Sequence, residues 1–300
     1  MPRTRRPLVI AGALGLTGLA ILDRLARNPW PGEVRAIVRP GTAPDRLTGL
    51  PDWVQIRAAD LSDREAATAV FAGAGTVIHG ARAGLADPVV PAAFDAGARH
   101  VVAVMTTSRF SKIKPGAREL GELEDWLRAR FDGLTVLRPT MIYGSPRDGN
   151  LSRLLGLVAR RRVVPVVGGG TGLVQPVHAH DVAQAAVAAA RRAGKIRGRA
   201  YNIAGQAPLP FRDLVRVAGR AVGRRVVTVP VPLRPTLLAM SMAQRLGLSL
   251  PVNEDQVLRL SEDKTFDWSN AAADLGFDPL PVERGLRLLA QEMGLAPSRG

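Results

Sequence analysis

The chain has 300 residues, 46% of them apolar, which is enough for a substantial buried core. Only 4% are aromatic, so that core must be built from Val, Leu, Ile and Ala; with no cysteine, a disulfide framework and a thiolate metal site are both excluded. The net charge of +15 would attract anions, yet its clusters (Arg5-Arg6, Arg160-Arg161-Arg162, Arg191-Arg192, Arg224-Arg225) are scattered and carry no interleaved aromatics, so they read as solvated faces and not as a nucleic-acid surface.

The N-terminus imitates a signal peptide, with Arg3, Arg5 and Arg6 ahead of the apolar stretch Leu8 to Leu22. Three regularly spaced glycines interrupt that stretch, and it runs into Asp23 and Arg24 with no small-residue cleavage site. No other apolar run approaches the roughly 20 residues needed to cross a bilayer. The expectation is a soluble, cytoplasmic protein with no membrane span and no nucleic-acid partner. A homodimer is compatible with the sequence.

Taken in order, the first half alternates strand and helix. Leu8 to Ala11 is a short apolar run suited to a strand buried on both faces. Leu16 to Arg27 is a helix, stopped by Pro29-Trp30-Pro31. Strands at Val34 to Val38 and Val54 to Ile56 follow, then a helix from about Asp63 to Phe71. Thr76 to Ile78 and Val101 to Met105 are strands with a helix near Val89 to Gly97 between them. A helix from Arg118 to Phe131 and a strand at Leu134 to Leu137 complete six strands with intervening helices, the pattern of a doubly wound parallel Rossmann sheet.

After Gly144 the rhythm changes. A helix from Leu151 to Arg161 leads into a Gly/Pro-rich loop, Pro165 to Pro176. Asp181 is placed to cap a helix from Val182 to Ala193. A strand near Tyr201 to Ile203 and helices near Phe211 to Val222, Leu237 to Leu246 and Val282 to Met293 complete the chain. This predicts a Rossmann core over residues 1–145. A small, mostly helical C-terminal substrate lobe over 146–300 follows, with residues of about 175–205 returning to the core.

The strongest local signal is Gly12-Ala13-Leu14-Gly15-Leu16-Thr17-Gly18, directly between the first strand and the first helix. Gly12 permits the turn, Gly15 lets backbone approach a pyrophosphate, and Gly18 allows close helix–strand packing. The helix start, with Leu14, Leu16 and Thr17 among its residues, offers free N–H groups to phosphates. Arg39, at the end of the second strand, stands where an acid would bind a ribose 2′-hydroxyl. Arginine suits a 2′-phosphate, which favours NADP over NAD, although a solvated Arg39 would also account for it. Asp60 and Leu61 would sit beside the adenine, or serve as a turn and helix cap.

Several ordered motifs resemble the extended and atypical short-chain dehydrogenases, including epimerases and dehydratases of nucleotide sugars. They are the GxxGxxG spacing of Gly12 to Gly18, Asp60-Leu61, Val77-Ile78-His79-Gly80-Ala81, Leu137-Arg138-Pro139-Thr140-Met141-Ile142-Tyr143-Gly144, Val177-His178-Ala179-His180-Asp181-Val182-Ala183, Tyr201-Asn202-Ile203-Ala204-Gly205 and Asp274-Leu275-Gly276-Phe277-Asp278-Pro279. The resemblance implies that Ala81 and Arg82 line the cofactor and that Pro139, Thr140 and Met141 lie near its nicotinamide, with Thr106 also on the cofactor side. It further implies that Thr107 takes the place of the family's catalytic Ser/Thr, the alternative being a strand-end hydroxyl bonded to backbone. Asn150 and Arg153 open the helix that would face a substrate, and Arg153 is the candidate for an anionic group.

One family feature is missing. The Tyr and Lys spaced by four on one helix face would fall at Gly116 and Leu120 when counted from Glu124, and a shift of two gives Lys114 and Arg118. No register yields a tyrosine; Tyr143 and Tyr201 belong to other motifs. Thr107 and Lys112 remain as catalytic candidates, Lys112 alternatively being a solvated loop residue. His178, His180 and Asp181 offer too few ligands for a metal site, and His79 and His100 read as structural. The sequence thus supports an NAD(P)-binding oxidoreductase, epimerase or dehydratase acting on a polar small molecule, nucleotide-linked ones included. The alternative is a non-catalytic dinucleotide-binding regulator or assembly protein, of the NmrA-like and complex I accessory-subunit kind.

Overall fold

The computed structural model describes residues 6–43, 45, 50–233, 235, 236, 258 and 262–296; the helix expected at Leu237 to Leu246 lies outside them. In chain order the first half runs β1 (Leu8–Ala11), α1 (Leu16–Arg27), β2 (Val34–Val38), β3 (Val54–Ala58), α2 (Arg64–Val70), β4 (Thr76–His79), α3 (Ala86–Asp95), β5 (His100–Val104), α4 (Ala117–Arg130) and β6 (Leu134–Pro139). The second half holds β7 (Ile142–Tyr143), α5 (Leu151–Arg160), β8 (Val163–Val167), β9 (Leu173–Val174), β10 (Val177–His178), α6 (Ala179–Arg191), α7 (Ala193–Ile196), β11 (Ala200–Ile203), β12 (Leu209–Pro210), α8 (Phe211–Ala221), β13 (Val227–Val231), α9 (Ser269–Leu275) and α10 (Val282–Glu292).

Seven strands form one parallel sheet in the order β11-β6-β5-β4-β1-β2-β3. Strand order reverses between β1 and β4, so the crevice of a doubly wound sheet opens there. Central strands are apolar on both faces because helices cover both. Leu8 and Ile10 of β1 face a layer made by α1, α6 and α9, while Val9 and Ala11 face α2, α3 and α4. The predicted strand at Tyr201 to Ile203 extends the sheet beyond β6. A third apolar cluster, formed by α5, α8, α10 and the β8–β13 pair, makes the small C-terminal lobe.

Two local expectations are corrected. The Gly/Pro-rich loop from Pro165 is partly strand: β8 continues to Val167 and β9 pairs with β12. The helix expected to start at Val182 behind an Asp181 cap begins at Ala179, and His178 is its cap, its Nδ1 accepting the His180 N–H at 3.2 Å. Asp181 lies inside the first turn and accepts the Leu280 N–H at 3.0 Å, tying α6 to the residues before α10. Histidine can cap only with a deprotonated ring nitrogen, which burial secures.

An ionic cluster braces the end of the sheet. Glu124 of α4 is 1% exposed and accepts hydrogen bonds from Arg138 of β6, while the Arg109 guanidinium pairs with it at 2.9 Å and with Asp125 at 2.9 Å. A lone buried carboxylate would be costly; two guanidiniums make this one tolerable. Replacing Glu124 by Leu should leave Arg138 without its carboxylate and Arg109 with Asp125 alone, and cost about 3–5 kcal/mol, read from denaturant titration. A loss below about 1 kcal/mol would show that the cluster contributes little.

His79, His100 and His178 are buried, and desolvation lowers each to about 4. Thr135 donates to the Ile196 carbonyl at 2.9 Å and accepts from His100 Nε2 at 2.9 Å, so that ring carries its proton on Nε2. Between pH 6.5 and 4 these rings stay neutral when folded and bind protons when unfolded, so stability present above 6.5 is lost as pH falls. Each ring contributes at most about 3 kcal/mol to that loss. Asp181, raised by burial to about 6, works the other way, its cost growing as pH rises from about 4. With three rings against one carboxyl, net stability should drop between pH 6.5 and 4. His100→Gln should flatten that drop; urea titrations at the two ends giving equal slopes for both proteins would refute it.

Candidate functional site

The start of α1 sits at the strand-order reversal. Gly12 has φ +84°, and a Cβ there would lie 2.7 Å from the Ala81 backbone nitrogen, so the turn can pass the end of β4 only without a side chain. A Cβ on Gly18 would lie 2.3 Å from the Gly12 carbonyl oxygen, which forces glycine where helix meets turn. Gly15 donates to the Gly12 carbonyl at 3.0 Å and caps α1 without any side-chain bond. The N–H groups of Leu16, Thr17 and Gly18 therefore have no helical partner, and no acid stands in the first turn to compete for them.

Leu16 and Thr17 line a cleft of about 850 Å³. Its floor includes Gly12, Leu14, Gly15, Leu16 and Thr17, and across β4 it is closed by Gly80, Ala81 and Arg82. Its far end is formed by Val38, Arg39, Asp60, Leu61 and Ser62. Asp60 is not the cap of α2; Asp63 is, accepting the Glu65 N–H at 2.9 Å. Asp60 Oδ1 instead accepts both the Ser62 hydroxyl (2.7 Å) and its N–H (2.9 Å), which, with Arg39 nearby, hold its carboxyl below the usual range. An exposed Arg39 beside a fixed carboxylate offers a cation and an acceptor at one end, and the uncapped helix an anion site in the middle. That donor set fits a pyridine dinucleotide.

A second cavity of about 450 Å³ meets the first at Ile142, which lines both. Thr106, Thr107, Thr140 and Met141 lie on this second wall, together with Asn150 from the start of α5. The Thr107 hydroxyl is buried and donates to the Pro139 carbonyl at 3.1 Å; Pro139 itself is a buried residue of β6. Thr106 accepts the Ser108 N–H at 3.0 Å. Lys112 is exposed and lines neither cavity; its backbone N–H donates to Glu262 at 2.7 Å. Arg153 is exposed on α5 and also lines neither.

Where the resemblance calls for a tyrosine, Gly116 stands outside the helix as the residue preceding α4, in the left-handed region at φ +74°. Leu120 follows in the first turn of α4. The backbone at 116 thus suits glycine, and the departure extends beyond one side chain to the way the helix starts. Residues missed from sequence also build the second cavity: Phe110, Phe211, Gln175, Glu262, Asp263 and Phe266. They come from distant segments and share no motif, so no local spacing announces them. Among the described residues, no group of three His, Asp or Glu side chains is placed to hold a metal ion, and no helix is long and apolar enough to cross a membrane.

No family model matches the chain. It is 35% identical over 153 residues to an uncharacterised protein of Sinorhizobium fredii, covering 49% of this chain and 37% of that protein. Over 155 residues it is 29% identical to NADH dehydrogenase [ubiquinone] 1 alpha subcomplex subunit 9 of Arabidopsis thaliana, covering 49% and 38%. The matches thus span little more than a third of the length of these two relatives. Ceramide reductase of Caulobacter vibrioides is 29% identical over 315 residues, covering 94% of this chain and 91% of that one. Among solved structures, a nucleoside-diphosphate-sugar epimerase from Pseudomonas aeruginosa superposes with TM-score 0.75 at 17% identity, covering 97% and 99% of the two chains. The NADPH complex of an Escherichia coli NADPH-dependent quinone oxidoreductase superposes with TM-score 0.72 at 20% identity, covering 93% and 98%. Sheet order and these likenesses agree on the fold: the chain is a doubly wound parallel Rossmann sheet with a small helical lobe, the fold of these solved structures.

Proposed function

We propose that the protein is an NAD(P)-dependent oxidoreductase, or an enzyme of the epimerase and dehydratase type, that acts on a polar group of a small molecule without a tyrosine–lysine pair. The observation that carries this reading is the uncapped start of α1, opening on a cleft that runs into a second cavity. Backbone N–H groups of Leu16 and Thr17 would hold the diphosphate, Asp60 and Leu61 the adenosine end, and Ala81 and Arg82 the stretch towards the nicotinamide. Arg39 would pair with a 2′-phosphate, making NADP the preferred form. The bound nicotinamide would supply or accept hydride. The Caulobacter relative is a ceramide reductase, which agrees with this class of reaction.

The proton is the harder part. The Thr107 hydroxyl hydrogen is committed to the Pro139 carbonyl, so this side chain can accept a hydrogen bond from a substrate hydroxyl, or donate only after releasing that carbonyl. Thr106 uses a lone pair on the Ser108 N–H and keeps its own hydrogen for a substrate oxygen. Positioning then does most of the work, with water completing proton transfer. A dinucleotide-binding regulator is the second reading, favoured by the left-handed glycine at the family's tyrosine position.

Three measurements test this. Calorimetry should show NADPH binding more tightly than NADH, with Arg39→Ala weakening NADPH by about tenfold or more and leaving NADH nearly unchanged. Gly15→Leu should abolish binding of both, and absence of any heat with the unaltered protein would overturn the proposal. Thr107→Ala should lower turnover of a reducible substrate by about ten- to a hundredfold with cofactor affinity unchanged. Tight NADPH binding without turnover across ketones, imines and sugar nucleotides would favour the regulator.

A further inference from the structure

The second cavity is apolar where it is widest in side-chain surface. Phe110, Phe211 and Phe266 line it together with Met141, Ile142 and Val174. Phe110 is 48% exposed, a large ring kept open to solvent at the cavity wall. It is nevertheless held in place. The Arg109 and Arg138 guanidinium carbons lie 5.3 and 5.4 Å from its centroid, and the Phe266 ring lies 5.9 Å away at 37°. Both guanidiniums are already engaged by Glu124, so they steady the ring while their charge is neutralised at the pair. Such a prepared apolar surface offers contact to a hydrocarbon at little ordering cost.

The charge on the wall points the same way. Glu262 and Asp263 line the cavity, and Lys264 is the one cation among its described lining residues. Both carboxylates are fixed by short bonds. Glu262 accepts the Ser111 hydroxyl and the Lys112 N–H, each at 2.7 Å, and Asp263 accepts the Leu173 N–H at 2.9 Å. A sugar diphosphate placed here would meet two anchored carboxylates, and no arginine among the described residues lines the cavity to receive its phosphates. Hydroxyls are supplied by Thr106, Thr107 and Ser108, while Ser111 is tied to Glu262 and Thr140 donates to the Gln175 carbonyl; Asn150 adds an amide.

We propose that this cavity takes an uncharged carbonyl compound whose body is an alkyl chain, its oxygen at the Thr106–Ser108 end and its chain against Phe110 and Phe266, and that it rejects nucleotide-linked sugars. The proposal rests on the preceding functional reading for the position of the carbonyl beside the cofactor cleft, and it names the substrate class for that reaction.

The test is a binding measurement on the full chain, with and without NADP⁺, using 2-heptanone, 2-octanone and 2-nonanone as one series and UDP-glucose as the competitor. Affinity should rise by up to about fourfold for each added methylene. Phe110→Ala and Phe266→Ala should each weaken 2-nonanone by about tenfold while NADP⁺ affinity stays the same. UDP-glucose should neither bind measurably nor displace the ketone. Binding of UDP-glucose, a flat response along the ketone series, or ketone affinity indifferent to both substitutions would overturn the proposal. If NADP⁺ itself gives no heat, the functional reading falls instead, and the ketone series on the cofactor-free protein still decides what the cavity accepts.

Discussion

Backbone contact at the head of α1 is the constraint on which the site depends. The turn after β1 must run against the end of β4, and the helix must begin against that turn, with room for no Cβ at either Gly12 or Gly18. Given that approach, the start of the helix, with Leu16 and Thr17, and its positive end face one crevice without any side chain being recruited. The apolar faces of β1 and of α1 then have a single compatible arrangement, with α6 closing the same layer. Sheet order, crevice and anion site are consequences of one short segment of chain.

Where the resemblance implies a tyrosine, this chain enters α4 through a left-handed glycine, and α4 carries Glu124 and Asp125 into an ionic cluster with Arg109 and Arg138. With Asp125 counted, two guanidiniums meet two carboxylates, and both guanidiniums lie over the Phe110 ring. The reacting region is therefore lined by hydroxyls already engaged with backbone, and any proton transfer must work through them or through water.

Most of the core was legible in the sequence for a simple reason. Strands such as Leu8–Ala11 and Leu134–Pro139 are apolar on both faces, and glycines with positional meaning separate them from amphipathic helices. The cleft at the head of α1 was legible because much of its floor follows from glycine spacing. Legibility failed where competing local rules applied. At α6, Asp181 obeys the capping preference better than His178, yet the tertiary bond to Leu280 draws the aspartate away and a neutral imidazole takes the cap. Strands β8 and β9 hide in a segment whose glycines and prolines signal a loop. The second cavity was legible only in part: Thr106, Thr107, Thr140, Met141 and Asn150 stand in or beside motifs, whereas Phe110, Phe211, Glu262 and Phe266 join them only in three dimensions.

Ser111 and Lys112 reach Glu262 across 151 and 150 positions of chain. Contacts so distant in sequence bear a large loop-closure entropy, so they are expected to form after the locally wired βαβ units are in place. The wall of the second cavity that carries Glu262 is thus assembled late, whereas the cleft at the head of α1 is lined chiefly by residues of the first four strands and the turns after them. The two cavities can consequently change independently: a substitution near position 262 alters the second without touching the glycine turn that opens the first.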